Sequence, residues 1–109
     1  PLYMVSRMEQ RWDLSILRVG ILGMAFKSES DDIRSSLSYK LKRILRFKAL
    51  EVLCTDEYVS DDTNLVPLDD VLTRCDVLVI GAPHPEYRSI KTDKPVVDVW
   101  NLLGNGSLV

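Results

Sequence analysis

The run Asp76-Val77-Leu78-Val79-Ile80-Gly81 has no polar side chain between its ends. A strand that apolar offers no face to water and must be covered on both sides, as in a parallel sheet flanked by helices. The remaining pattern agrees. Leu17 to Gly23 reads as a first buried strand, Leu50 to Asp56 as a second and Val96 to Trp100 as a fourth. Amphipathic stretches separate them. A helix is expected from Ile33 to Phe47, with Leu37, Leu41, Ile44 and Leu45 on one face and Lys42, Arg43 and Arg46 opposite. Ser30, Asp31 or Asp32 is placed to cap it. Pro67 opens a shorter helix with Leu68, Val71, Leu72 and Cys75 inward and Asp69 and Asp70 in the first turn, where the helix dipole favours carboxylates. Leu2, Val5, Met8 and Trp12 form a helical stripe at the start, and a helical turn fits Glu86 to Ile90. The expected fold class is α/β: a small Rossmann-like three-layer α/β/α domain with a mainly parallel sheet, ordered near 2-1-3-4.

At 109 residues the chain has the length of one domain. Its net charge of -2 excludes the basic footprint of a general nucleic-acid binder. Its longest apolar runs fall far short of the ~20 residues that span a bilayer, so no membrane partner is expected. The chain opens on Pro1 instead of Met, as an internal piece of a longer protein would. Cys54 and Cys75 match no metal-ligand spacing and read as small core hydrophobes in a reducing cytoplasm. No metal site is expected.

In such sheets ligands sit beyond the carboxyl ends of the strands. Four loops end there: Gly23 to Asp32, Asp56 to Asp62, Ala82 to Glu86 and Trp100 to Gly104. The first is the most informative. Lys27 can supply a mobile positive charge for a phosphate or carboxylate, and Phe26 an apolar face for a base or sugar. A strand-to-helix loop with a capping Asp and a solvated Lys explains the same residues. Gly20-x-x-Gly23 is not the G-x-G-x-x-G dinucleotide fingerprint. Asp56 lies where a ribose-binding acid would sit, but a loop-capping role fits it better. His84, the single histidine, lies between two prolines and reads as a loop-packing residue, because a general base needs an oriented partner. No catalytic residue is expected on this chain.

The run Val19-Gly20-Ile21-Leu22-Gly23-Met24-Ala25-Phe26-Lys27, followed by Ser30-Asp31-Asp32-Ile33-Arg34-Ser35-Ser36, resembles the opening of the C-terminal, UDP-sugar-binding domain of the UDP-glucose/GDP-mannose dehydrogenase family. Asp56 with Tyr58-Val59, then Asp76 to Ile80, then Val96-Val97-Asp98 follow in the family's order, so the resemblance spans about Leu17 to Leu103. It implies a three-domain oxidoreductase that takes a nucleotide sugar's C6 alcohol to a uronic acid with NAD, in cytoplasmic polysaccharide-precursor synthesis. NAD is implied for the full-length enzyme and none is expected on this fragment. The catalytic Cys, Lys and Asn belong to a central domain. Cys54, on a strand, and Cys75, at a helix end, do not match that nucleophile. Residues 1–14 would end the linking helical segment and 15–109 would form the domain. By position, Phe26, Lys27 and Arg34 are expected to contact substrate, and Asp31 and Asp32 to shape the loop. Trp100 is a further expected contact, standing where many relatives carry an arginine, and Ser36-Leu37 replaces the family's Ser-Pro. The implied partners are a nucleotide sugar and the rest of the dehydrogenase chain, and a homodimer is compatible with the exposed sheet edges. The other reading is a stand-alone nucleotide- or CoA-binding module, or a scaffold of the same fold.

Overall fold

The computed structural model describes residues 2–27, 29–34, 36–98, 100 and 102–104. Helix α1 (Leu2–Arg11) leads through a 3₁₀ turn at Leu14–Ile16 into β1 (Arg18–Leu22). Then follow α2 (Leu37–Lys48), β2 (Glu51–Thr55), α3 (Leu68–Arg74), β3 (Val77–Ile80), a 3₁₀ turn at Pro85–Ser89 and β4 (Val96–Val97). The four strands form one sheet in the order β2-β1-β3-β4, and every pairing is parallel. That is the expected order. β1 is central: Ile21 pairs with Cys54 on one side and Val79 on the other.

Alternation along β1 and β3 divides the core into two halves. Val19, Ile21, Val77 and Val79 point to the side covered by α1 and α2, where they meet Val5, Met8, Leu41 and Leu45. Leu22, Leu78 and Ile80 point to the other side and pack with Val71 and Cys75 of the α3 segment. Each such aliphatic side chain contributes about 1.5–3 kcal/mol when fully removed from water. Gly20 permits the α3 layer to approach, because a Cβ there would collide with Val71 Cγ1 and lie 3.1 Å from Cys75 Sγ. Lys94 donates to the carbonyls of Leu72 and Thr73, supplying positive charge and hydrogen bonds at the C-terminus of α3.

Three expectations need correction. Helix α2 begins at Leu37, not Ile33, and its cap is Ser36, whose hydroxyl accepts from the Ser38 N–H at 3.1 Å. Asp32 does not cap because both of its oxygens are engaged by Arg34. Leu37 is 57% exposed, leaving Leu41 and Leu45 as the buried positions of that face. The last strand is short. Asp98 turns to accept from the N–H groups of Leu102 and Leu103, which ends extended pairing after Val97. Val99, within the expected strand, lies outside the described residues, as do Asn101 and 105–109 of the closing segment. Among the described residues no helix is long and apolar enough to cross a membrane.

Candidate functional site

The carboxyl rim of the sheet is organised around one buried carboxylate. Asp56 follows β2 and is 4% exposed. Its Oδ2 accepts from the backbone N–H groups of Met24 at 2.7 Å and Ala25 at 3.0 Å, while Oδ1 accepts from Tyr58 N–H at 2.9 Å. His84 Nε2 lies 2.9 Å from the same Oδ2. A carboxylate with these partners is well compensated for its burial, and it fastens the loops after β1, β2 and β3 to one another.

The loop after β1 is tied at further points. Gly23 has φ 95°, and a Cβ there would lie 2.7 Å from the Ala82 nitrogen, so the crossing requires glycine. Ser36 donates its hydroxyl to the Met24 carbonyl at 2.8 Å, and Phe26 N–H donates to the Asp32 carbonyl at 2.6 Å. Arg34 forms a two-pronged pair with Asp32, its Nε and Nη2 each 3.0 Å from a carboxylate oxygen. The guanidinium holds the Asp32 carboxyl down at about 2, and the arginine's own value rises in return. Glu29 is left-handed at φ 55° and donates its N–H to His84 Nδ1 at 2.8 Å. The loop therefore presents Phe26, 53% exposed, and an exposed Lys27 from an anchored backbone.

His84 is 1% exposed and sealed beneath aromatic rings, with Tyr58 at 4.4 Å and Tyr87 at 5.5 Å between centroids. The Tyr58 hydroxyl hydrogen-bonds to Glu86, which with partial burial pushes the phenol up to about 12 and lowers the Glu86 carboxyl. Loop packing, the role expected for His84, is what the geometry gives. The partnership with Asp56 was not foreseen. Their relationship crosses 28 positions, and its only sequence signal is polar residues following the two strands that flank β1, at one rim.

Trp100, 46% exposed, lines a cleft with Met4, Leu37, Ser38, Leu41, Ile80 and Gly81. Phe26, Lys27 and Arg34 are on the neighbouring loop and do not line it. The cleft measures about 60 Å³. Ligand pockets usually start near ~300 Å³. By itself it is too small to hold a ligand. Asp31 is exposed on the loop surface.

The residues present do not fit a dinucleotide. Asp56, at the ribose-acid position, is committed to backbone N–H groups and His84. Ser36 already caps α2, where a pyrophosphate would dock. Cys54 and Cys75 are free and buried, and burial pushes their thiols up to about 12 and about 11. Among the described residues no cluster of three or more His, Cys, Asp or Glu could hold a metal.

Comparison with known proteins identifies the family of this fold. Residues 20–105 match the model of the UDP-glucose/GDP-mannose dehydrogenase family, UDP binding domain. A UDP-N-acetyl-D-mannosamine dehydrogenase of Methanocaldococcus jannaschii is 33% identical over 90 residues, covering 82% of this chain and 21% of its own length. A UDP-glucose dehydrogenase of Pyrobaculum islandicum superposes with a TM-score of 0.78 at 28% identity, over 90% of this chain and 25% of that one. A UDP-D-ManNAc dehydrogenase of Pyrococcus horikoshii gives 0.77 at 25% identity, over 98% of this chain and 27% of that one. The chain thus spans about a fifth to a quarter of the length of these relatives.

Proposed function

The chain belongs to the UDP-glucose/GDP-mannose dehydrogenase family as its UDP binding domain, and from that premise we propose that it receives the nucleotide end of a UDP-sugar for an NAD-dependent 6-dehydrogenase. In that enzyme the sugar C6 alcohol is oxidised to a uronic acid for polysaccharide-precursor synthesis. The oxidation and the NAD site are assigned to the rest of the enzyme, and residues 1–14 to the end of its linking segment.

The observation that carries the reading is the anchored loop after β1. Lys27 sets a positive charge beside Phe26 at the rim where ligands of such sheets bind. In this reading the ammonium neutralises the diphosphate or an adjacent sugar oxygen, and the phenyl ring covers the base or sugar. Asp32 holds Arg34 in one orientation, so less side-chain freedom is lost when a ligand meets it. Trp100, in the place of the family arginine, offers a flat apolar edge in place of a charge. Leu37 and Trp100 leave the small cleft half-open. We assign that apolar surface to contact with the rest of the dehydrogenase chain. The two free thiols fit a reducing cytoplasm.

Calorimetric titration of the chain with UDP, UDP-sugars and coenzyme A tests this function. Weak binding of UDP and UDP-sugars, reduced in Lys27→Gln, is expected, because half a site forgoes many contacts that offset association entropy. Binding of coenzyme A without UDP-sugar binding would instead support a stand-alone module.

A further inference from the structure

We infer that His84 is a positioning residue that sets the conformation of the Lys27 loop through one ring tautomer, with the proton on Nε2 and Nδ1 left as an acceptor. The link to ligand binding rests on the nucleotide reading above. The tautomer and the latch it forms stand on geometry alone.

The backbone N–H of Glu29 can only donate, and it points at Nδ1 from 2.8 Å. Nδ1 must therefore present its lone pair, which puts the proton of a neutral ring on Nε2. There it faces Asp56 Oδ2 at 2.9 Å, an acceptor already fixed by two loop N–H groups. The two faces of the ring thus do different work. One is clamped by the carboxylate, and the other holds Glu29 in a left-handed conformation that a residue with a side chain seldom adopts. Glu29 is two residues beyond Lys27, so the bond fixes the loop tip that carries the ammonium.

The ring is enclosed by Asp56, Glu57 and Tyr58 after β2, by Glu86 and Tyr87 after β3, and by Glu29 itself.

Because the chain has a single histidine, a long-range ¹H–¹⁵N spectrum of the labelled chain reports this ring alone. The expected pattern is protonated Nε2 and bare Nδ1, with the Glu29 amide protected from exchange. Protonated Nδ1 in the neutral ring, or an unprotected Glu29 amide, would overturn the inference without any ligand. The variants His84→Leu and His84→Gln extend the test. The leucine variant should free the Glu29 amide and weaken UDP binding about tenfold, the scale of one lost hydrogen bond. Glutamine offers an acceptor and a donor, so it should recover binding and the Glu29 protection. A leucine variant with wild-type loop protection would contradict the latch. UDP that shifts no resonance in the wild-type chain would defeat the nucleotide reading, while the ring spectrum still judges the tautomer.

Discussion

His84 Nε2 and Asp56 Oδ2 meet 2.9 Å apart beneath the rim, with 1% and 4% of their residues' surfaces exposed. The carboxylate joins three loops because it accepts from backbone groups of two of them and from the ring of the third. Asp56→Ala would leave the N–H groups of Met24, Ala25 and Tyr58 and the ring N–H without their acceptor. The expected loss is at least about 3 kcal/mol in urea unfolding, since each orphaned buried donor costs about 1–3 kcal/mol. Asp56→Asn keeps the shape but turns an NH₂ toward donors, so it should recover only part of that. An unchanged midpoint in either variant would contradict the clamp.

Gly20 and Val71 give a second test, on the opposite face of the sheet. Gly20→Ala drives a methyl into Val71 Cγ1 and is expected to cost about 1–3 kcal/mol, as overpacking does. Trimming the neighbour in the double variant Gly20→Ala, Val71→Ala should show strong non-additivity, because the second change makes room for the first. Simple addition of the two single effects would mean that the contact does not set the spacing of α3.

The thiols supply a third. Burial pushes Cys54 up to about 12 and Cys75 up to about 11, so little thiolate exists near pH 8. A thiol-specific reagent should label neither in the folded chain and both in denaturant. Rapid labelling of the folded chain would place a cysteine outside the core.

The Asp32–Arg34 pair gives a fourth, with a defined pH window. The carboxyl is held at about 2 against an ordinary 3.8, so any stabilisation from the pair is fully present above 3.8 and is lost as pH falls through about 2. The pair is exposed, and its effect on global stability should be small. The clear readout is local: in Arg34→Ala, carboxyl NMR should show Asp32 titrating much nearer 3.8. An unmoved titration would remove the arginine as the cause.

The layer plan was legible because apolar runs report burial directly. Val77 to Ile80, buried on both faces, announced the parallel sheet, and the order around β1 followed. The start of α2 was not, because Ser30, Asp31, Asp32 and Ser36 are all competent caps. The choice was made by tertiary contacts, with Asp32 taken by Arg34 and Ser36 donating to the Met24 carbonyl. Phe26 and Lys27 could be named from motif and loop position. The Asp56–His84 pair that supports them could not, since it depends on where two loops converge after folding. Trp100 and Leu37 share a cleft for the same reason.

The central claim is that a sugar nucleotide meets the chain at Phe26 and Lys27. The most direct measurement is an NMR titration of ¹⁵N-labelled chain with UDP and a UDP-sugar, following backbone amides and lysine side chains together. The largest shifts are expected at Phe26, Lys27, Glu29 and Arg34, with smaller ones at Trp100, and Lys27→Gln should abolish most of them. Shifts confined to the opposite end of the sheet, or a saturating response that Lys27→Gln leaves intact, would contradict it.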